Sequence, residues 1–256
     1  MRDVAPPSRP WAGQMRWCDL AFLHWPVSSV AIRHLVPLEL QIDTYDGAAW
    51  VGVVPFRMEG VRLRAAPPVP TAHAFPEINV RTYVSAAGRA GVWFFSLDAA
   101  SKLAVRGARF LYNLPYFDAE ISVESDGDTV SYHSIRRHRG APPAEFKARY
   151  RPIGPAHEAP SGSLEHFLVE RYCLFMHDER RGLGLLDIDH EPWSLHRAAA
   201  EVAVNSMAEA SGIHLPWEEP LLHFARTLAV RAWNREAIAS EPPPRTGEHG
   251  RPAPLC

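Results

Sequence analysis

The sequence lacks a dominant charge. Its 27 Lys and Arg stand against 29 Asp and Glu, a formal net charge of −2. No long-range field therefore draws it to phosphate backbones or anionic lipid, which argues against nucleic-acid or membrane-surface partners. Long hydrophobic runs are missing too: residues 1–14 hold no signal-peptide core, and no later window approaches the ~18 apolar residues of a membrane span. Cysteine is scarce. Cys18, Cys173 and Cys256 are odd in number and form no CxxC pair, which argues against a disulfide framework and fits a reducing, cytoplasmic setting. There is no GxSxG elbow, no P-loop and no GxGxxG, so the common nucleophile and nucleotide signatures do not apply. Histidine is plentiful, but His190 and His196 are separated by a proline, and nothing matches HExxH or HxH. No metal and no cofactor are expected.

Proline is what the chain has in excess. Of 24, three lie in the first ten residues and five in the last sixteen. Those inside the body limit the length of any helix, which disfavours a helical bundle. Residues 1–14 and 241–256 read as disordered tails around a single domain, 15–240. Strand signals dominate that domain. Asp46-Gly47 and Asp126-Gly127 supply the positive φ of tight hairpin turns, and INVRTYV pairs with GVWFFSL around the turn at 86–91. Helices are expected at VAIRHLV, at 98–113 with Asp98 as N-cap, at 163–170, and at SLHRAAAEVAVNSMAEASG, where Ser194 caps an Ala-rich body that ends at Gly212. Hairpins without βαβ alternation predict an α+β domain, mainly an antiparallel curved sheet or barrel with three or four helices outside.

The most unusual strand is EINVRTYV. Side chains alternate, so Glu77, Asn79, Arg81 and Tyr83 share one face. Turned inward, that face offers an acid, an amide, a guanidinium and a phenol to a polar or carboxylated organic ligand, with Arg81 suited to a carboxylate. Turned outward, it is a half-exposed strand of solvated charges or a homo-oligomer contact. Trp93 and Ser96 on the neighbouring strand would complete the ligand site. Lys102, if set among apolar groups, could form a Schiff base with a carbonyl; otherwise it belongs to a solvated helix face with Arg106 and Arg109. His133 and His138, among Arg136, Arg137 and Arg139, read as a solvated basic turn. Glu165, Glu170, Arg171 and Tyr172 would suit ligand positioning if a Tyr and an acid stand near a cavity, and otherwise form a helix-end salt bridge.

FLHWPV (22–27), DTYDGAAWVGVVPFRM (43–58), FPEINVRTYV (75–84), GVWFFSLDA (91–99), LPYFDA (114–119) and SLEHFLVERYCLF (163–175) together resemble the YqjF-like family of uncharacterised conserved bacterial proteins. The resemblance covers residues 15–235 and implies an acetoacetate decarboxylase-like β-barrel or cone around a small-molecule cavity. Phe75-Pro76-Glu77 resembles the Tyr-x-Glu strand entry of those decarboxylases, which implies a cavity role for Glu77. Their paired lysines, one forming the Schiff base and the other lowering its pKa, have no counterpart: WFFSLDAASKLAV holds one lysine, Lys102, beside Ser101. The expectation is a small-molecule protein of decarboxylase- or lyase-like type with Glu77 and Lys102 as catalytic candidates, or a binding or sensing module using the same cavity.

Overall fold

The computed structural model describes residues 5–67 and 72–238. Among the described residues thirteen strands form one sheet. They are β1 (Gly13–Val27), β2 (Gln41–Ile42), β3 (Ala49–Leu63), β4 (Phe75–Ala86), β5 (Arg89–Ala99), β6 (Tyr116–Asp126), β7 (Thr129–Arg136), β8 (Glu145–His157), β9 (Cys173–Asp178), β10 (Gly182–Asp189), β11 (Leu195–Asn205), β12 (Leu221–Ala232) and β13 (Glu236–Ala237). The helices are α1 (Ser29–Ile32), α2 (Lys102–Tyr112) and α3 (Leu164–Val169). The strand order is β13-β10-β9-β5-β6-β7-β8-β11-β12-β1-β3-β4-β2, with further pairings β4–β5 and β10–β12. Pairing is antiparallel except where β5 meets β6 and β9.

Turn chemistry behaves as the sequence predicts. Asp46 and Gly47 have φ of 50° and 81°, and Ala87 and Gly88 have 49° and 70°. At 87–88 such a turn joins the paired strands β4 and β5. The hairpin expected at Asp46-Gly47 is corrected: its turn closes only the Tyr45–Ala48 bridge, because β2 pairs with β4 and β3 lies between β1 and β4. Residues 5–14 fall within the expected N-terminal tail. Among them, Arg9 pairs with Asp187 at 2.7 Å, and Gly13 and Gln14 begin β1. The expected tail at 241–256 lies outside the described residues.

Two helical expectations are corrected. The Ala-rich stretch after Ser194 is strand β11, held between β8 and β12. Alanine's helix preference is worth only a fraction of a kcal/mol per residue, less than two ladders of backbone bonds and the burial of Ala198 and Ala200 against the core. Register shifts between Leu195 and Arg197 and between Val202 and Val204 interrupt the period of two that would have revealed the strand. Only Gly212 keeps its expected part, closing a 3-10 turn (Glu209–Ser211) at φ 78°. Similarly, α2 starts at Lys102, not at Asp98. Ser101 is its cap, accepting a bond from the Ala104 amide at 3.3 Å, and Asp98 remains in β5.

Side chains alternate along the strands into two apolar layers. One contains Leu23, Val53, Val80, Tyr132, Phe146 and Phe224. The other, on the opposite side of β1, β3 and β4, contains Phe22, Val54, Phe56 and Tyr83, and receives Val105 from α2 and Leu168 from α3. Where β5 meets β9 the backbones approach closely. A Cβ on Gly91 would lie 2.6 Å from both the carbonyl oxygen and the Sγ of Cys173. Gly91→Ala is therefore expected to destabilise the fold by about 1–3 kcal/mol, as overpacking does; an unchanged urea midpoint would show that β9 shifts freely.

Candidate functional site

Strand β4 is buried on both faces because β3 and β5 flank it and each face meets an apolar layer. Glu77 and Asn79 are buried, Tyr83 is fully buried, and Arg81 is half-buried. Registry places Glu77 between Phe56 and Ala99, Asn79 between Val54 and Leu97, and Arg81 between Gly52 and Phe94. The polar set thus lies on the layer containing Phe22 and Phe56. At about 3.3 Å per residue, Glu77 and Tyr83 are roughly 20 Å apart along the strand. The face therefore divides into two centres with Asn79 between them.

The first centre is Glu77. Its Oε2 accepts a bond from the Tyr116 hydroxyl at 2.9 Å. Burial pushes its carboxyl up to about 8, the Tyr116 bond opposing and the Asp98 charge adding to the effect. At neutral pH it is a protonated acid. Tyr116 is itself pushed well above the ordinary phenol range, chiefly by burial, so it remains a donor.

The second centre surrounds Arg81. Its guanidinium lies 5.5 Å from the centre of the Phe22 ring and 5.8 Å from that of Tyr83. Among the described residues no carboxylate is within ion-pair distance of Arg81, and its Nε is buried without a partner, as is Asn79 Oδ1. The Tyr83 hydroxyl is 2.6 Å from His24 Nε2. Burial raises the Tyr83 hydroxyl, with Arg81 and Arg171 acting against it. Burial, then Arg81 and His223, holds His24 well below the usual imidazole range, so its ring is neutral. Helix α3 and the residues after it cover this centre. Phe167 packs 5.4 Å from Tyr83. Arg171 lies 4.5 Å from Phe167 and 5.2 Å from Tyr83, and is anchored to Asp43 at 2.6 Å. Glu165 binds His223 at 2.9 Å and His157 at 3.1 Å. The expected helix-end salt bridge of Arg171 is instead this long-range pair with Asp43.

The other sequence-predicted residues are not brought to this face. Ser96 pairs across from Val80 and Trp93 from Thr82, so both point to the opposite apolar layer. Ser96 is buried with its hydroxyl unpartnered, and Trp93 lines an open cleft of about 660 Å³ with Phe95, Phe117 and Arg136. Lys102 is exposed at the start of α2. The chain's other lysine, Lys147, is exposed as well, so no lysine stands beside Glu77 or Arg81. Arg136 departs from the solvated turn expected of it. It forms a bidentate pair with Asp98, both bonds 2.7 Å, and packs 4.0 Å over Phe117. His133 and His138 contact Glu145 and Asp118. Among the described residues no cluster of His, Cys, Asp or Glu is placed to hold a metal, and no helix is long and apolar enough to cross a membrane.

Sequence reasoning missed His24 and Tyr116, and singled out Arg171 without its partner Asp43. His24 alternates with Phe22 in a run that reads as plain core, and Tyr116 reaches Glu77 only through the parallel β5–β6 pairing, which no local pattern announces.

Comparison with known proteins agrees with this architecture. An acetoacetate decarboxylase-like enzyme from Sphingomonas wittichii RW1 superposes with a TM-score of 0.59 at 13% identity, covering 94% of this chain and 99% of that one. The enduracididine biosynthesis enzyme MppR complexed with pyruvate gives 0.60 at 10% identity, covering 93% of each chain. At such identities the likeness is one of fold. Uncharacterized protein YqjF of Bacillus subtilis (strain 168) is 44% identical over 232 residues, covering 91% of this chain and 95% of its own. A family model described as an uncharacterized conserved protein matches residues 14–229. The chain is thus a member of the YqjF family of uncharacterized conserved proteins, built on a mostly β, acetoacetate decarboxylase-like fold.

Proposed function

We propose that this protein binds a small carboxylated, carbonyl-containing organic molecule on the buried polar face of β4, within a closed barrel or cone, and acts on it as a lyase- or decarboxylase-like enzyme. The observation that carries this reading is Arg81: a half-buried guanidinium, with no carboxylate among the described residues to answer it and a buried Nε left unpartnered. A guanidinium held partly out of water with no counter-charge is under-solvated, and a ligand carboxylate supplies the missing charge in bidentate geometry. Glu77, protonated at neutral pH, serves as the acid toward the carbonyl end, and Asn79 lies between the two. The solved neighbours support the ligand class, since one is described as acetoacetate decarboxylase-like and another as a complex with pyruvate.

A Schiff-base route is not part of the proposal, because both lysines face solvent. That same fact favours a second reading, a binding or sensing module without turnover. The two separate in one experiment. Wild type and Arg81→Ala are screened by thermal shift against 2-oxo and 3-oxo acids, and ligands that bind are then followed by ¹³C NMR for product. Binding lost in Arg81→Ala with product formed supports the enzyme, and binding without product supports the module. Shifts identical in the two proteins would remove Arg81 from ligand binding.

A further inference from the structure

The Arg81 centre contains a buried histidine that the acid role of Glu77 does not use. Resting on the ligand reading above, we propose that Tyr83 donates its hydroxyl proton in a hydrogen bond to the carbonyl oxygen of the ligand held by Arg81, and that His24 is the positioning residue that frees it to do so.

The argument starts from hydrogen-bond capacity. His24 has two ring nitrogens: Nε2 is 2.6 Å from the Tyr83 hydroxyl, and Nδ1 is buried with no partner. The neutral ring carries one proton, on one nitrogen or the other. With the proton on Nδ1, Tyr83 must donate to Nε2, and a buried N–H is left unanswered. With the proton on Nε2, the ring donates to the phenol oxygen, and the unanswered group is a bare acceptor nitrogen. Without a ligand the second arrangement also leaves the phenolic O–H unanswered. A ligand carbonyl that accepts this proton removes that orphan, whereas the Nδ1–H of the first arrangement stays unanswered with or without ligand, so a bound ligand selects the second. Arg81, also adjacent to the Tyr83 hydroxyl, is donor-only and cannot accept the phenolic proton. The proton then has no acceptor among the described residues and is available to the ligand.

The surroundings are shaped to keep this geometry. A Cβ on Gly52 would lie 2.9 Å from His24 Cδ2 and 3.0 Å from Nε2, so the ring occupies the space that only a glycine leaves. Phe167 packs 5.4 Å and Arg171 5.2 Å from the Tyr83 ring. They fix the phenol from the α3 side while β1 and β3 fix the imidazole. Arg81 and Tyr83 are two residues apart on one face, so a carboxylate and a neighbouring carbonyl oxygen of one small molecule fit the pair.

The test uses full-length protein with ¹⁵N-labelled histidine and pyruvate as probe. Long-range ¹H–¹⁵N spectra at pH 7 with saturating pyruvate, with the His24 signals assigned by their loss in His24→Gln, should show the Nε2–H tautomer; the Nδ1–H tautomer or an imidazolium in the bound protein would overturn the proposal. Tyr83→Phe should fold normally and bind pyruvate ~10-fold more weakly, the worth of one hydrogen bond. His24→Leu should match it, whereas His24→Gln, which keeps an N–H donor, should restore part of the loss. Pyruvate binding lost in Arg81→Ala but unchanged in Tyr83→Phe would overturn this proposal and leave the ligand reading standing. No pyruvate binding by the wild type would overturn the ligand reading, and this proposal with it.

Discussion

Replacing Asp98 with alanine is expected to remove about 3–5 kcal/mol of stability, the range for deleting one partner of a buried ion pair. The Arg136 side chain is 2% exposed and that of Asp98 0%, so neither charge recovers water when the other is lost. Asp98 accepts two of the guanidinium's bonds at 2.7 Å, whereas the remaining one to the Pro142 carbonyl is 3.4 Å. Phe117, 4.0 Å away, offers its ring face but no counter-charge. With domain stabilities of about 5–15 kcal/mol, the variant should approach the folding threshold. Urea unfolding of Asp98→Ala, Arg136→Met and the double variant checks the cause. The double variant should be more stable than Asp98→Ala, because it removes the orphaned guanidinium. A single-variant loss below 1 kcal/mol would mean that water reaches the pair.

That pair also shows where the sequence was readable and where it was not. The hairpin announced by Asp126-Gly127 was legible because positive φ is a local demand that few residues meet, whereas Asp46-Gly47 makes its turn without a hairpin, since β2 is drawn to β4 and not to β3. The polar face of β4 was legible because alternation is a local rule. Its burial was not, since burial depends on β3, β5 and α3 closing over it from distant parts of the chain. Asp98 has the spacing of an N-cap and Arg136 the company of a basic turn. Only tertiary pairing removes both from solvent. The same holds for β11, whose composition favours helix while its two neighbours impose a ladder. The resemblance to YqjF-like proteins carried the overall fold, but it said nothing about His24 or Tyr116, which enter the site through cross-strand geometry alone.

The site acid provides the other large effect, with the opposite sign. Glu77 has a folded pKa raised by burial to about 8 from an ordinary 4.5. Between those values the native state holds a proton that the unfolded chain releases, so stability falls as pH rises from 4.5 to 8, at up to about 1.4 kcal/mol per unit. Glu77→Gln keeps the size and an acceptor for the Tyr116 hydroxyl but does not ionise. Wild type and variant should therefore be similar near pH 4.5 and diverge as pH rises. At pH 8 the variant should be the more stable by about 3–5 kcal/mol on the same linkage. Urea midpoints at pH 5 and pH 8 check this, and parallel curves for the two proteins would show that Glu77 is already ionised in the fold. A glutamine would thus serve the fold better than the acid that is there. Retaining a carboxyl against its own stability is what a functional site does when chemistry requires an acid protonated at neutral pH. On the proposed function, Glu77→Gln should leave pyruvate binding at Arg81 in place while abolishing any turnover, separating the group proposed to hold the ligand from the one proposed to act on it.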